Sequence, residues 1–291
     1  MPANFKAELV ACFGQPVAEN PTGAMQEAAF RALGLNWRYI TVEVPPEKLG
    51  DAMLGVRAFG MQGVNLTIPH KVAVMQHLDD IEPAARIIGA VNTVRRSQDR
   101  LVGENTDGQG FLRGVRKDAR IDPRDKRVVV LGAGGAARAI VTELALAHAA
   151  RVLVVNRSVA RGERMVADLA ATTKSPIAFQ QWCDTFRVPE DTDILVNATS
   201  IGLFPDVGSM PPVDLASAPR SMLVCDAVFN PPETLLIDTA RRRGLPVLDG
   251  LAMLVYQGMI GFELWTRREA PESVMKKALR KALGLGGTSP G

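Results

Sequence analysis

The chain has 291 residues, 47% of them hydrophobic and 22% charged, with a formal net charge of +3. That length suits one large domain or two modest ones, and the composition is ordinary for a globular protein. The small, scattered charge argues against a nucleic-acid partner, and no apolar stretch is long enough for a membrane span. No basic region followed by an apolar core opens the chain, so a cytoplasmic location is expected.

The first 107 residues read as an α/β segment without a glycine fingerprint. Residues 8–13 form a short strand, and residues 24–33 have helical spacing closed by Gly34. Residues 37–44 alternate as a strand, and residues 46–59 are helical with a proline at the start. Gly63-Val-Asn65-Leu-Thr67-Ile-Pro69-His70-Lys71 is an apolar strand ending in a proline turn, with a helix beginning near Pro69. Gly89-Ala-Val-Asn92-Thr93-Val94 follows, then a strand running into Gly103-Glu-Asn105-Thr106-Asp107-Gly108. Polar residues gather at strand ends, where open α/β sheets bind ligands. A helix starts from Gly108.

Residues 126–161 have the clearest pattern. Arg127-Val-Val-Val-Leu131 breaks into Gly132-Ala133-Gly134-Gly135-Ala136-Ala137, an alanine-rich helix follows, and Arg151-Val-Leu-Val-Val155 ends in Asn156-Arg157-Ser158. Strand, glycine turn, helix and strand make a βαβ unit of the length that binds dinucleotides. Gly132 permits the tight turn, and Gly134 lets backbone approach a pyrophosphate at the helix N-terminus. Ala137 stands at the third glycine position and is small enough for close packing. An NAD site would place an acid at the end of the second strand to hold the ribose hydroxyls. Here Asn156, Arg157, Ser158 and Arg161 suit a 2′-phosphate, which guanidinium groups grip bidentately, so NADP is expected. Arg164 reads as a solvated charge on a helix face.

Beyond this unit the wound pattern continues through short apolar runs at 176–179 and 193–196. The second ends in Asn197-Ala-Thr199-Ser200, a polar strand end beside the expected dinucleotide. Residues 205–219 are loop-like, 222–225 a strand, 233–242 a helix, and 246–248 a last strand reaching Asp249-Gly250. Arg241, Arg242 and Arg243 end the helix, where cations offset its dipole. Residues 251–265 form a long apolar helix carrying Gln257, residues 272–283 an amphipathic one, and the Gly-rich tail after Gly284 looks disordered. The nucleotide segment, 108–250, is thus a Rossmann-type, doubly wound domain inserted into a substrate-binding α/β domain of residues 1–107 plus 251–291. Such an arrangement makes two lobes with a cleft between them, which catalytic groups should face. Cys12, Cys183 and Cys225 are odd in number and far apart, so Cys12 and Cys225 read as small core residues in a reducing compartment. His70, His77 and His148 have no metal-ligand spacing, and no metal is expected.

Hydride transfer to a ketone needs a proton source beside the reacting oxygen. Lys71, at a strand-to-helix turn, and the carboxylate of Asp107 are the plausible pair: such a lysine can polarise the ketone and shuttle the proton. Taken alone the two would more often be an ordinary salt bridge.

The motifs from Gly63 to Lys71, Gly89 to Thr93, Asn105 to Gly108, Gly132 to Ala136, Asn156-Arg157, Asn197 to Ser200 and Gly250 to Gln257, in this order, closely resemble the shikimate dehydrogenase family. The resemblance covers nearly the whole chain. It implies NADP-linked interconversion of shikimate and 3-dehydroshikimate, on the route to chorismate and the aromatic amino acids. It implies Lys71 and Asp107 as the catalytic pair and Thr67, Asn92 and Gln257 as substrate contacts. It places Ala133, Gly135, Ala136, Thr199 and Gly250 with the glycines and arginines on the cofactor side. The expected partner is a small ring hydroxy acid, and the expected state a monomer or homodimer.

One end of the resemblance is altered. Family members usually carry two serines near the start, in G-x-P-[IV]-x-H-S-x-S-P-x-x-H-N, to hold the substrate carboxylate. This chain has Asn20 and Thr22 there, with Glu19 and Glu27 replacing a histidine and an asparagine. The usual tyrosine of D-x-x-Y-x-P is Phe229. Asn20 and Thr22 can still donate hydrogen bonds, whereas Glu19 and Glu27 would repel an anion if they faced the pocket. The chemistry can therefore stay on shikimate or act on quinate, an aminated analogue or another ring hydroxy acid. A non-catalytic, dinucleotide-responsive regulator is the reading from another class, and retention of both Lys71 and Asp107 argues against it.

Overall fold

The computed structural model of the protein describes residues 5–285. The part of the tail from residue 286 onward lies outside them. The chain divides into two compact units, residues 1–106 with 258–291 and residues 107–257.

The first unit contains β1 (Glu8–Gly14), α1 (Thr22–Ala32), β2 (Trp37–Glu43), α2 (Leu49–Ala58), β3 (Gly63–Leu66), α3 (His70–Ala73), β4 (Asp80–Ile81), α4 (Pro83–Ile88), β5 (Thr93–Ser97) and β6 (Arg100–Glu104). The helix expected over 46–59 is split: a 3-10 turn occupies Pro46–Lys48, and the α-helix begins only at Leu49. The helix at Pro69 is a single α-turn that passes into a 3-10 turn at Val74–His77. The sheet has the order β2-β1-β3-β5-β6-β4. It is mixed: β1 pairs with β2 and β3 in parallel, whereas β5 pairs antiparallel with both β3 and β6. The reversal comes from the β5–β6 hairpin, whose turn holds Gln98 at φ 56°. Central β3 is buried along its whole length, whereas edge strand β2 buries only Tyr39. Phe13, Leu49, Met53, Val64 and Leu66 belong to one hydrophobic core of this unit.

The second unit starts in α5 (Thr106–Lys117) and contains β7 (Arg127–Leu131), α6 (Gly135–Leu146), β8 (Arg151–Asn156), α7 (Val159–Ala170) and β9 (Ile177–Gln181). It continues with β10 (Phe186–Arg187), β11 (Ile194–Asn197), β12 (Val213–Asp214), β13 (Leu223–Asp226), α8 (Leu235–Arg242) and β14 (Val247–Leu248). Six strands lie in the order β14-β13-β11-β7-β8-β9, all parallel. Counted from β7, this is the 3-2-1-4-5-6 order of a doubly wound dinucleotide fold. The stretch 205–219 is not all loop. Val213–Asp214 pairs with Phe186–Arg187, because buried Val213 and Phe186 join the core beside Trp182 and Leu215. At α8, Thr234 caps the helix by accepting from the Ile237 N–H.

The chain leaves this unit along α9 (Gly250–Thr266), which α10 (Glu272–Ala282) follows. In the first unit α10 packs on α1, Phe262 stacks on Phe30 at 5.5 Å, and the Trp265 indole donates to the Val94 carbonyl at 2.9 Å. Gly63 makes that contact possible, since a Cβ there would lie 2.2 Å from Trp265 Nε1. In the second unit α5 crosses the start of α9 at Gly110, where a Cβ would lie 2.6 Å from the Gln257 nitrogen.

Candidate active site

The cofactor end is made mostly of backbone. Gly132 ends β7 at φ 110°, a left-handed conformation that side chains rarely adopt, and it abuts the Ala198 carbonyl at the end of β11. This is the switch point of the sheet, where strand order reverses and open α/β folds bind ligands. Gly134 is the N-cap of α6, and a Cβ on Gly134 or Gly135 would meet nothing within 4 Å. Packing therefore does not require these two glycines, whereas an anion against the helix N-terminus does. Ala136 is exposed at the same turn, and Ala137 is fully buried against the fold.

Ala133, Gly134 and Gly135, with Arg138, Arg161, Arg164 and Met165, line an open cavity of ≈ 360 Å³. Arg164, read from sequence as a solvated charge, is exposed but belongs to this lining: Arg161 and Arg164 are three apart on α7 and share a face. Sequence reading missed Arg138, three residues after Gly135, whose Nη1 donates to Asp168 at 2.9 Å. Arg157 is exposed one residue past β8 and is not among the lining residues. Ser158 caps α7, its hydroxyl accepting from the Arg161 N–H at 3.4 Å, and Asn156 donates to the Ser158 carbonyl. A glycine turn open to solvent, at a helix N-terminus and beside three guanidiniums, fits the pyrophosphate and 2′-phosphate of NADP.

Thr199 supports this turn. Its hydroxyl donates to Asn197 Oδ1 at 2.7 Å, and its methyl lies near Gly132. Buried Asn197 in turn donates to Asp226 at 2.9 Å, and Asp226 also accepts from the Val228 N–H and the Thr234 hydroxyl. Burial pushes the Asp226 carboxyl up to about 6 against the pull of these bonds. Gly250 is a packing position, since a Cβ there would lie 2.1 Å from the Val228 carbonyl. Phe229, in the same loop, is half-buried and brings no hydroxyl. The Gln257 amide donates to the Leu254 carbonyl of its own helix at 3.0 Å. Asp107 is half-buried in the first turn of α5, where the helix dipole favours a carboxylate.

In the first unit the polar residues face one another. Thr67 ends β3 with its N–H on the Phe13 carbonyl, and its carbonyl accepts from His70, the start of α3. Lys71 is half-buried in that turn, and its carbonyl accepts from the Val91 N–H at 2.7 Å, which ties it to the segment before Asn92. Asn92 is buried, with Nδ2 on the Thr106 hydroxyl and Oδ1 accepting from the Thr106 N–H. Asn20 is spent locally: Oδ1 accepts from the Thr22 N–H at 2.9 Å, and Nδ2 donates to Cys12 Sγ at 3.6 Å. Thr22 is buried at 4% exposure. Glu27 accepts from the Tyr39 N–H at 2.7 Å and pairs with Arg31, which engages its carboxylate with β2 and its own helix. Glu19 is exposed.

Burial pushes the Cys12 thiol up to about 11, while a hydrogen bond with Tyr39 and the Lys71 cation pull it down. Cys12 and Cys225 are both buried and free, as core residues should be. Tyr39 and Asn65, to which sequence reading gave no role, are buried in the same unit as Cys12. The available signal was Asn65 itself, an amide inside an apolar central strand, which must find partners when buried. Among the described residues no group of three or more His, Cys, Asp or Glu could hold a metal ion, and no helix is long and apolar enough to cross a membrane.

Fold and site together define a dinucleotide-binding α/β protein with a separate polar site in its other unit. The family model described as shikimate dehydrogenase substrate binding domain matches residues 12–94. The model described as shikimate / quinate 5-dehydrogenase matches residues 116–203, and the shikimate 5'-dehydrogenase C-terminal domain matches residues 250–280. Shikimate dehydrogenase (NADP(+)) of Desulforamulus reducens is 40% identical over 285 residues, covering 97% of this chain and 98% of that one. The ligand-free 5-ketofructose reductase of Gluconobacter sp. strain CHM43 is 45% identical, with TM-score 0.92 over 96% of this chain and 99% of that one. Shikimate 5-dehydrogenase of Thermus thermophilus, solved with NADP(H) and shikimate, is 35% identical, with TM-score 0.81 over 94% of this chain and 99% of that one. The chain belongs to the shikimate dehydrogenase family. It is an NADP-dependent oxidoreductase acting by hydride transfer.

Proposed function

We propose that the protein interconverts a neutral polyhydroxylated ketone and its alcohol, and that shikimate is a poor substrate. Asn20 carries this reading. The site where the family's serines meet a carboxylate holds an amide whose oxygen accepts from the Thr22 N–H and whose nitrogen donates to Cys12. Phe229 brings no hydroxyl where family members usually carry a tyrosine. An anion there would have to displace bonds the protein already makes, and each charge-assisted bond not made costs roughly 1.5–3 kcal/mol. The likeness to a 5-ketofructose reductase, at 45% identity, supports the same substrate class.

Bound NADPH supplies the hydride to the carbonyl carbon. Lys71 Nζ hydrogen-bonds the carbonyl oxygen, polarises it and gives it a proton as the alcohol forms; Asp107 holds the ammonium, and the amine regains its proton from solvent. Thr67, Asn92 and Gln257 orient the hydroxyls of the substrate. Gly132, Ala133, Gly134, Gly135 and Ala136 cradle the pyrophosphate, and Arg157, Arg161 and Ser158 hold the 2′-phosphate. In this reading residues 1–107 with 251–291 bind substrate and residues 108–250 bind NADP. The protein works in the cytoplasm as a monomer or homodimer on small molecules, without nucleic acid.

The test is NADPH absorbance followed with 5-ketofructose and 3-dehydroshikimate, and NADP reduction followed with shikimate. We expect kcat/KM for the neutral ketone to exceed that for 3-dehydroshikimate by about 10²-fold, the loss of two charged bonds appearing mainly in KM. The triple variant Asn20→Ser, Thr22→Ser and Phe229→Tyr should recover part of the activity toward shikimate. A micromolar KM of the unaltered protein for shikimate would overturn the neutral-substrate reading.

A further inference from the structure

Polar side chains of the first unit form a buried chain from Tyr39 to Asn92. The Tyr39 hydroxyl donates to Asn65 Oδ1 at 2.8 Å. Asn65 Nδ2 then donates to the Thr93 hydroxyl at 3.0 Å and to the Asn92 carbonyl at 3.3 Å. Thr93 and Thr106 hydroxyls meet at 3.1 Å, and Thr106 bonds both ends of the Asn92 amide. From Tyr39 to Asn92 the donors can all point one way, the sense in which successive hydrogen bonds polarise and strengthen one another.

We propose that Tyr39 is a positioning residue for the reaction: through Asn65, Thr93 and Thr106 it sets the orientation of the Asn92 amide. The proposal rests on the reading that Asn92 contacts the substrate. Tyr39 is 7% exposed and Thr93 and Thr106 are 0%, so no water can replace a missing link without a cavity to hold it. Removing the phenol hydroxyl leaves Asn65 Oδ1 without its donor, and the amide can flip to recover one. A flipped Asn65 presents an oxygen to the Thr93 hydroxyl where it had presented N–H groups, which reverses the chain downstream as far as Asn92.

The experiment is a double-mutant cycle on KM and kcat, using NADPH and whichever of 5-ketofructose and 3-dehydroshikimate turns over faster. Tyr39→Phe should raise the ketone KM about 5–10-fold and leave the NADPH KM within about twofold. Asn92→Ala should raise the ketone KM by about 10²-fold, because a lost hydroxyl contact leaves buried polar groups unpaired. The double variant should be no worse than Asn92→Ala by more than about twofold, since both act on one amide. Thr93→Val, which cuts the chain at another link, should repeat the Tyr39→Phe signature and serves if Tyr39→Phe is too unstable to assay. Effects of Tyr39→Phe and Asn92→Ala that multiply, or a Tyr39→Phe variant that lowers only Tm, would overturn the positioning role alone. An Asn92→Ala variant with unchanged ketone KM would sink the substrate contact as well.

Discussion

The polar sites of the two units differ in what they are made of. The cofactor end in the second unit presents backbone N–H groups and exposed guanidiniums, and its glycines at 134 and 135 have open space beside them. In the first unit the polar groups of Tyr39, Asn65, Thr93, Thr106 and Asn92 are buried and bonded to one another. A backbone cradle accepts any ligand with the right phosphates, whatever side chains surround it. A side-chain network recognises only the ligand whose groups complete it. Cofactor preference can therefore persist through changes that alter the substrate, and the differences from the family lie at Asn20, Thr22 and Phe229.

The sharpest break of this comparison is at the proton. Lys71→Ala should lower kcat by about 10²–10⁴-fold, the usual loss for a general acid. The NADP KM should hardly change, because Lys71 belongs to the first unit. Single-turnover rates with saturating NADPH check this, and Asp107→Ala is the companion. A Lys71→Ala variant retaining most of its turnover would remove lysine from the mechanism.

A smaller effect is expected at the cofactor end. Arg157→Ala should raise the NADP KM at least about tenfold and leave the NAD KM unchanged, since only the 2′-phosphate loses a charged partner. Because Arg161 and Arg164 line the cavity and Arg157 does not, Arg161→Ala and Arg164→Ala sharpen the test. Equal weakening for both cofactors would show the arginines to be structural.

The smallest effect contrasts two buried carboxylates. Glu104, in the first unit, is bonded to Arg95 at 2.7 Å, whereas Glu143 on α6 lies against Gly108 and is pushed up to about 7 by burial, with Arg116 pulling weakly the other way. A carboxyl whose folded pKa is raised binds more protons folded than unfolded. Stability therefore falls as pH rises from about 4.5 to about 7, and the full cost is present above that window. Glu143→Gln removes the ionisation and should gain on the order of 3 kcal/mol at pH 8 relative to pH 4, the rise from 4.5 to about 7 counting ~1.4 kcal/mol per pKa unit. Urea denaturation of both proteins at the two pH values measures it, and equal shifts at both would show that folding leaves the Glu143 pKa unchanged.

The glycine turn, the helix after it and the strands flanking it were legible because local rules set them. Apolar runs of five residues, a glycine that must take φ 110° and an alanine-rich helix leave few alternatives. The family motifs, seven in order, likewise made the family legible from residues alone. Short elements such as β10 and β12 were not, since two-residue strands exist only because a distant partner and a shared core hold them. The split at Leu49 was missed for the opposite reason: periodicity does not separate a 3-10 turn from the first turn of an α-helix.

At the site, the sequence determined which residue types were available, and tertiary structure decided what each is bonded to. Asn20 and Thr22 looked like substitutes for two serines, yet Asn20 is used by Thr22 and Cys12, eight residues back across a turn and a strand. Glu27 looked like a possible repulsive charge and is instead tied to Tyr39 and Arg31. Arg164 looked solvated and lines the cofactor cavity with Arg138, which comes from another helix. The physical reason is common to all three. A polar side chain is directed by the partner that desolvates it least expensively, and in a βαβ fold that partner is set by strand order and helix packing rather than by spacing along the chain.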